Sequence, residues 1–211
     1  MATRRAAAVL IGITCVLLAL GGCIFTDLRP DGDPGVIDLG GPQNLLQNPN
    51  ADAGMDSWTP FSADAFVEGG SGNPAFTIRN GSFMTQRVDI TGKTSRILVI
   101  VGITAAQNAT PLSLGRMHAY TYSNADPNMV IAHFTSPDLV STSSTSNEWV
   151  ILTAQFALPP NADAIELFLA TGGSGAHDGS HTWFDYLGLY LADTTQLAQD
   201  IIDDYTTTHT W

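Results

Sequence analysis

Residues 96–104 read RILVIVGIT, a run that is apolar at successive positions and rich in β-branched side chains. A strand places successive side chains on opposite faces, so this run predicts a strand buried on both sides. A chain with such a strand needs material on each face of its sheet. The neighbouring segments are also written in period two. Met84, Gln86, Val88 and Ile90 alternate with Thr85, Arg87 and Asp89, ahead of a turn at Thr91-Gly92-Lys93. Met117 to Tyr122 and Met129 to Phe134 read as strands, separated by the turn formers Asn124, Asp126, Pro127 and Asn128. In WVILTAQFAL (149–158), Val150, Leu152, Ala154, Phe156 and Leu158 share a side. Ile165, Leu167 and Leu169 alternate again, and HTWFDYLGLYL (181–191) closes the series. No long helical period precedes residue 194. Many short strands with turns between them predict a sandwich or barrel.

The ends of the chain differ from this middle. Arg4 and Arg5 precede the uncharged run AAAVLIGITCVLLAL, which breaks at Gly21-Gly22-Cys23. A basic start, an apolar run and small residues before a cleavage point describe an export signal over residues 1–22. Leu20-Gly21-Gly22-Cys23 resembles the lipobox of bacterial lipoproteins, which implies cleavage before Cys23 and lipid on its sulfur. Ile24 after the cysteine resembles the outer-membrane sorting signal, so the expected location is the bacterial cell envelope, with the lipid on Cys23 as the membrane contact. The alternative is an uncleaved anchor, since about twenty apolar residues span a bilayer. With Cys15 lost and Cys23 lipidated, no disulfide is available.

Residues 24–43 hold three Pro and four Gly without an apolar period, and with Cys23 they form a tether (23–43). Residues 44–192 are one domain of ordinary size. In the tail (193–211), TTQLAQDIIDDY predicts a short helix capped by Thr194 or Thr195, with Leu197, Ile201 and Tyr205 on one side. Such a helix is too short to stand alone, so it packs on the sandwich or frays. STSSTSN (141–147) reads as a low-complexity loop.

All 20 acids follow Cys23, against 8 Lys and Arg in the whole chain, a balance that excludes phosphate-backbone binding and hence nucleic acid. Enzyme signatures are absent: no Gly-x-Ser-x-Gly elbow, no phosphate loop, and no cysteine nucleophile after Cys23. The expectation is a protein that binds its ligand without transforming it.

The segment NLLQNPNADAGMDSWTPF (44–61) brings in a short apolar stretch that can start a strand, bends it at Asn48-Pro49-Asn50 and around Asp52, and pins it with Trp58. This opening, the Gln86–Lys93 strand and turn, Trp149 to Pro159, and Trp183-Phe184-Asp185 stand in the order found in one family. Together they resemble the galactose-binding-like jelly rolls, especially the carbohydrate-binding modules of bacterial glycoside hydrolases. The resemblance implies an all-β jelly-roll β-sandwich, core positions for Trp58 and Trp149, and a structural calcium (Ca2+) held with the help of Asp52 and Asp185. Asp52 stands where Glu is more usual, and Tyr186 where a second acid is common. The other reading makes Asp52 a turn former and Asp185 a solvated acid.

For a ligand site, aromatic faces with polar neighbours suit sugars. His118, Tyr120 and Tyr122 share a strand face, and His133 is placed on the neighbouring strand. The competing reading, favoured by the sequence, makes one or both tyrosines core with their hydroxyls at the rim. Leu98, Ile100 and Gly102 also offer nothing that a sugar cleft would want. The second candidate is the glycine-rich GGSGAHDGSH (172–181), with His177, Asp178 and His181, placed over the same sheet or its edge. His-x3-His suits zinc on a helix, but this stretch is too rich in glycine for one. A glycan is the leading ligand class. The rival is a structural or protein-interaction envelope lipoprotein that uses the same fold as a scaffold.

Overall fold

A computed structural model of the protein describes residues 42–69, 74–107, 115–136, 149–171, 179 and 181–209. Cys23, the signal, nearly all of the tether, the 141–147 loop, His177 and Asp178 lie outside the described residues.

Among the described residues ten strands form two sheets, with antiparallel pairing throughout their ladders. They are β1 (Thr59–Pro60), β2 (Ala65–Glu68), β3 (Ala75–Arg79), β4 (Phe83–Asp89), β5 (Ile97–Gln107), β6 (Gly115–Ser123), β7 (Asp126–Thr135), β8 (Val150–Ala157), β9 (Ala164–Thr171) and β10 (His181–Ala192). Sheet I has the order β1-β4-β9-β6-β7 and sheet II the order β2-β3-β10-β5-β8. Helix α1 (Thr195–Thr208) follows. This is the all-β jelly-roll sandwich that the resemblance implies, and one of the two architectures, sandwich or barrel, that the alternation predicts.

Period two explains the core. Met84, Met117, Ala119, Ile165, Leu167 and Leu169 of sheet I are buried against Phe76, Ile78, Leu98, Ile100, Phe184 and Leu189 of sheet II. At Gly102 the sheets come so close that a Cβ would meet Leu187 Cδ2 at 3.0 Å and Met117 Sδ at 3.1 Å. Leu98, Ile100 and Gly102 are therefore core positions of sheet II.

The opposite face of β5 is equally apolar because α1 covers it. Val99, Val101 and Ile103 pack with Ala192, Ala198 and Tyr205, and Leu197, Ile201 and Ile202 join them. The RILVIVGIT strand is thus buried on both sides, and the tail packs rather than frays. Thr194 caps the helix by accepting from the Leu197 amide at 3.1 Å. The Tyr205 hydroxyl donates to the Tyr186 carbonyl at 2.6 Å.

The opening segment differs from its expectation. Residues 44–46 form no strand, although Leu45 N donates to Leu189 O at 2.8 Å. The Asn44 side chain takes the place of a ladder, donating to Leu187 O at 2.9 Å and accepting from Leu189 N at 3.1 Å. The following turn is organised by Asn48, not Asp52. The Asn48 amide donates to Gly54 O and Asp56 O and accepts from Ala53 N, while Trp58 Nε1 donates to the Asn48 carbonyl at 3.2 Å. Trp58 then packs on Phe76, with ring centroids 4.8 Å apart, a core position as the resemblance implies. Trp149 is half-buried against the helix-side cluster of sheet II.

Candidate functional site

Because Met117, Ala119 and Thr121 point into the sandwich, His118, Tyr120 and Tyr122 point out of it. The reading that buries one or both tyrosines holds for Tyr122, which is buried beneath Arg87 with its hydroxyl bonded to Glu166, and not for Tyr120, which is half-buried on the outer face of sheet I. Two cross-strand rows follow from the register. One runs Thr85, Phe168, His118, Thr135, and the next runs Arg87, Glu166, Tyr120, His133.

Rings cross the whole sheet. Phe61, immediately after β1 and 69% exposed, stacks on Phe83 at 4.4 Å. Phe83 meets Phe168 at 5.4 Å, Phe168 meets Tyr120 edge-on at 4.8 Å, and Tyr120 stacks on His133 at 4.3 Å with planes 6° apart. With strands about 4.8 Å apart, a row over five strands covers about 19 Å. Such a row presents an elongated apolar track.

Polar groups flank the track. The Arg87 guanidinium lies 4.4 Å over the Tyr122 ring, and the Tyr122 hydroxyl donates to Glu166 Oε2 at 2.9 Å. Burial pushes the Tyr122 phenol up to about 12, the bond to Glu166 and its charge add to this, and Arg87 opposes it. His118 Nδ1 stands 3.0 Å from His133 Nε2, with the Thr135 hydroxyl beside both. Arg87 also borders a cavity of about 610 Å³ at the edge of β4, lined in part by Asn44, Gln47, Gln86, Asp89 and Lys93. The face therefore offers ring surface, hydroxyl, carboxylate and guanidinium within one plane.

The structure brings His118, Tyr120, Tyr122 and His133 together but separates His181 from them. His181 starts β10, in sheet II, and faces Trp183 rather than overhanging sheet I. There Glu68 accepts from Trp183 Nε1 at 3.1 Å and pairs with Arg79. Burial, and then the Arg79 charge, push the His181 imidazole below its usual range. Phe61, Phe83, Phe168, Arg87 and Glu166 are members of the face that the sequence reading did not single out. Phe168 carried a signal: it is a large aromatic on the phase opposite Ile165, Leu167 and Leu169.

The two acids of the implied calcium pair stand in different surroundings. Asp52 is exposed on its turn. Asp185 is only 2% exposed and so is not a solvated acid. Its ladder partner is Ile103, on the face that carries α1, and its Oδ1 accepts from the Tyr186 amide at 2.9 Å. Calcium takes six to eight oxygens, and among the described residues no group of three or more His, Cys, Asp and Glu stands ready to hold a metal.

No protein-family model matches the chain, and no curated protein matches it either. Solved structures do match in fold. The structure described as Family 16 Carbohydrate Binding Module-2 superposes with a TM-score of 0.51 at 18% identity, covering 69% of this chain and 99% of that one. The enzymatically active domain of bacteriophage CBA120 tailspike protein 4 superposes with a TM-score of 0.52 at 12% identity, covering 71% of this chain and 21% of that one. The fold is therefore a jelly-roll β-sandwich, shared with these two structures.

Proposed function

We propose that the protein binds a glycan, without transforming it, on the outer face of sheet I. The observation that carries this reading is the ring row Phe61–Phe83–Phe168–Tyr120–His133, flanked by Arg87, Glu166 and Tyr122. Rings stack on the apolar C–H faces of sugars, and the flanking groups exchange hydrogen bonds with hydroxyls. The length of the row suits an extended oligosaccharide better than a single sugar. The fold shared with a carbohydrate-binding module supports the same reading. Glycan-array screening of residues 24–211, followed by calorimetric titration of the best oligosaccharide, tests it. Binding lost in Tyr120→Ala supports the site, and a silent array overturns the reading.

The same proposal places the protein at the bacterial outer membrane through lipid on Cys23, on the strength of Leu20-Gly21-Gly22-Cys23 after the apolar run. Mass spectrometry of the membrane fraction should find a lipid-modified N-terminal cysteine, lost in Cys23→Ser. Protein recovered intact from Met1 without lipid counts against it. The rival, an envelope protein as partner, draws on one observation: Met129 and Val130 are exposed on β7, at the edge of sheet I. An array without hits, together with a partner cross-linked at Met129, would favour it.

A further inference from the structure

His118 and His133 belong to neighbouring strands. The ladder pairs His118 with Thr135 and Tyr120 with His133, so the two histidines are diagonal neighbours on one face. Their nearest nitrogens, Nδ1 of His118 and Nε2 of His133, stand 3.0 Å apart. The Thr135 Oγ1 lies 3.2 Å from the first and 3.3 Å from the second. One oxygen and two nitrogens thus mark the corners of a nearly equilateral triangle.

That triangle has the size of one face of a coordination shell. Donors about 2.0–2.1 Å from a common transition-metal ion, at angles of about 90–109°, stand about 2.9–3.4 Å from one another. Without an ion the arrangement works as an N–H···N bond, because a neutral imidazole has one donor and one acceptor nitrogen. With both facing nitrogens unprotonated, both lone pairs are available to a metal.

We propose that His118, His133 and Thr135 form a binding site for a divalent transition-metal ion, Cu2+ or Zn2+, with the two imidazoles as principal ligands. Imidazole nitrogen suits these ions, whereas calcium and magnesium prefer oxygen. The rings are already oriented: Tyr120 stacks on His133 at 4.3 Å, and the two imidazoles lie 23° from parallel. His133 is exposed, which gives the ion a path from solvent. Two nitrogens and one hydroxyl leave further positions for water. The site shares His133 with the ring row, but the ion needs no sugar, so each reading is tested alone.

Titrating the full chain with Cu2+ tests the proposal, with calorimetry for affinity and electron paramagnetic resonance for ligand type. One equivalent should bind and show coupling to two imidazole nitrogens. His118→Ala and His133→Ala should each remove one nitrogen coupling and weaken binding by at least the about tenfold that losing even an outer-shell partner costs. His181→Ala, in the other sheet, should leave both readouts unchanged. Titration with Zn2+ should show the same dependence on the two histidines. Absence of one-to-one binding, or a signal that survives in the His118→Ala/His133→Ala double variant, overturns the site. Glycan titrations with a chelator present are read separately, so failure of either proposal is visible by itself.

Discussion

The Tyr205 hydroxyl, on the buried side of helix α1, donates to the backbone carbonyl of Tyr186 at 2.6 Å. Tyr186 has a positive φ of 48°, unusual for a residue with a side chain, and sits where the β10–β5 register shifts between Asp185 and Gly188. The tail therefore fastens the irregular part of the strand that carries Asp185. Burial, followed by the Asp185 charge, pushes the Tyr205 phenol well above its ordinary value. Tyr205→Phe keeps the ring but leaves that carbonyl without this donor. It should lower stability by about 1–3 kcal/mol in urea melts, and an unchanged midpoint would show that the bond contributes nothing.

The same arrangement bears on calcium. Asp185 is enclosed between β10 and α1, and Asp52 is exposed on a turn held by Asn48. Thermal melting should therefore give the same midpoint with calcium and with a chelator. An ion bound to the native state alone would raise the midpoint by mass action, and such a rise would show that backbone carbonyls complete a site around Asp185.

Tyr122 should titrate at about 12, and its neighbours should move it in opposite directions. Glu166→Gln keeps an acceptor oxygen but removes the negative charge beside the hydroxyl, so the phenol should fall. Arg87→Gln removes the cation over the ring, so it should rise. A folded-state value above the unfolded one, near 10, makes its stabilisation complete below about pH 10. That stabilisation is lost as pH rises through about 12. Ultraviolet titration of wild type against Tyr122→Phe isolates the group. A Tyr122 transition near 10 would contradict the bond to Glu166.

Much of the fold was legible because burial writes itself as periodicity. The two-sided apolar run at 96–104 predicted both the sandwich beneath β5 and a cover above it, and α1 supplies the cover. Strands β2 and β3 were not read because AFVE and AFTIR are short, although Phe76 and Ile78 alternate with Thr77 and Arg79 in β3. Asn44–Leu46 looked like a strand, but side-chain amide bonds replace the ladder there. The site was harder. Period two divides β6 into Met117/Ala119/Thr121 and His118/Tyr120/Tyr122 but does not say which set faces inward. It also cannot show that Phe61, Phe83 and Phe168, far apart in sequence, come into line across β1, β4 and β9.

The two faces of sheet I make that distinction measurable. Tyr120 and Phe168 are half-buried on the outer face, whereas Leu167, next to Phe168 in β9, is fully buried between the sheets. Leu167→Ala should cost about 2–5 kcal/mol through the cavity it leaves. A sugar-binding titration on that variant, where it remains folded, should still give near wild-type affinity. Tyr120→Ala and Phe168→Ala should do the reverse, with losses of about 1 kcal/mol or less in stability. In titrations with the best array oligosaccharide, each should weaken binding at least about tenfold, equivalent to about 1.4 kcal/mol. Both rings belong to the middle of the track, where Phe168 meets Tyr120 at 4.8 Å, so the double variant should show coupling rather than simple addition. If Tyr120→Ala and Phe168→Ala instead unfold the protein as Leu167→Ala does, the rings serve the sheet and not a ligand.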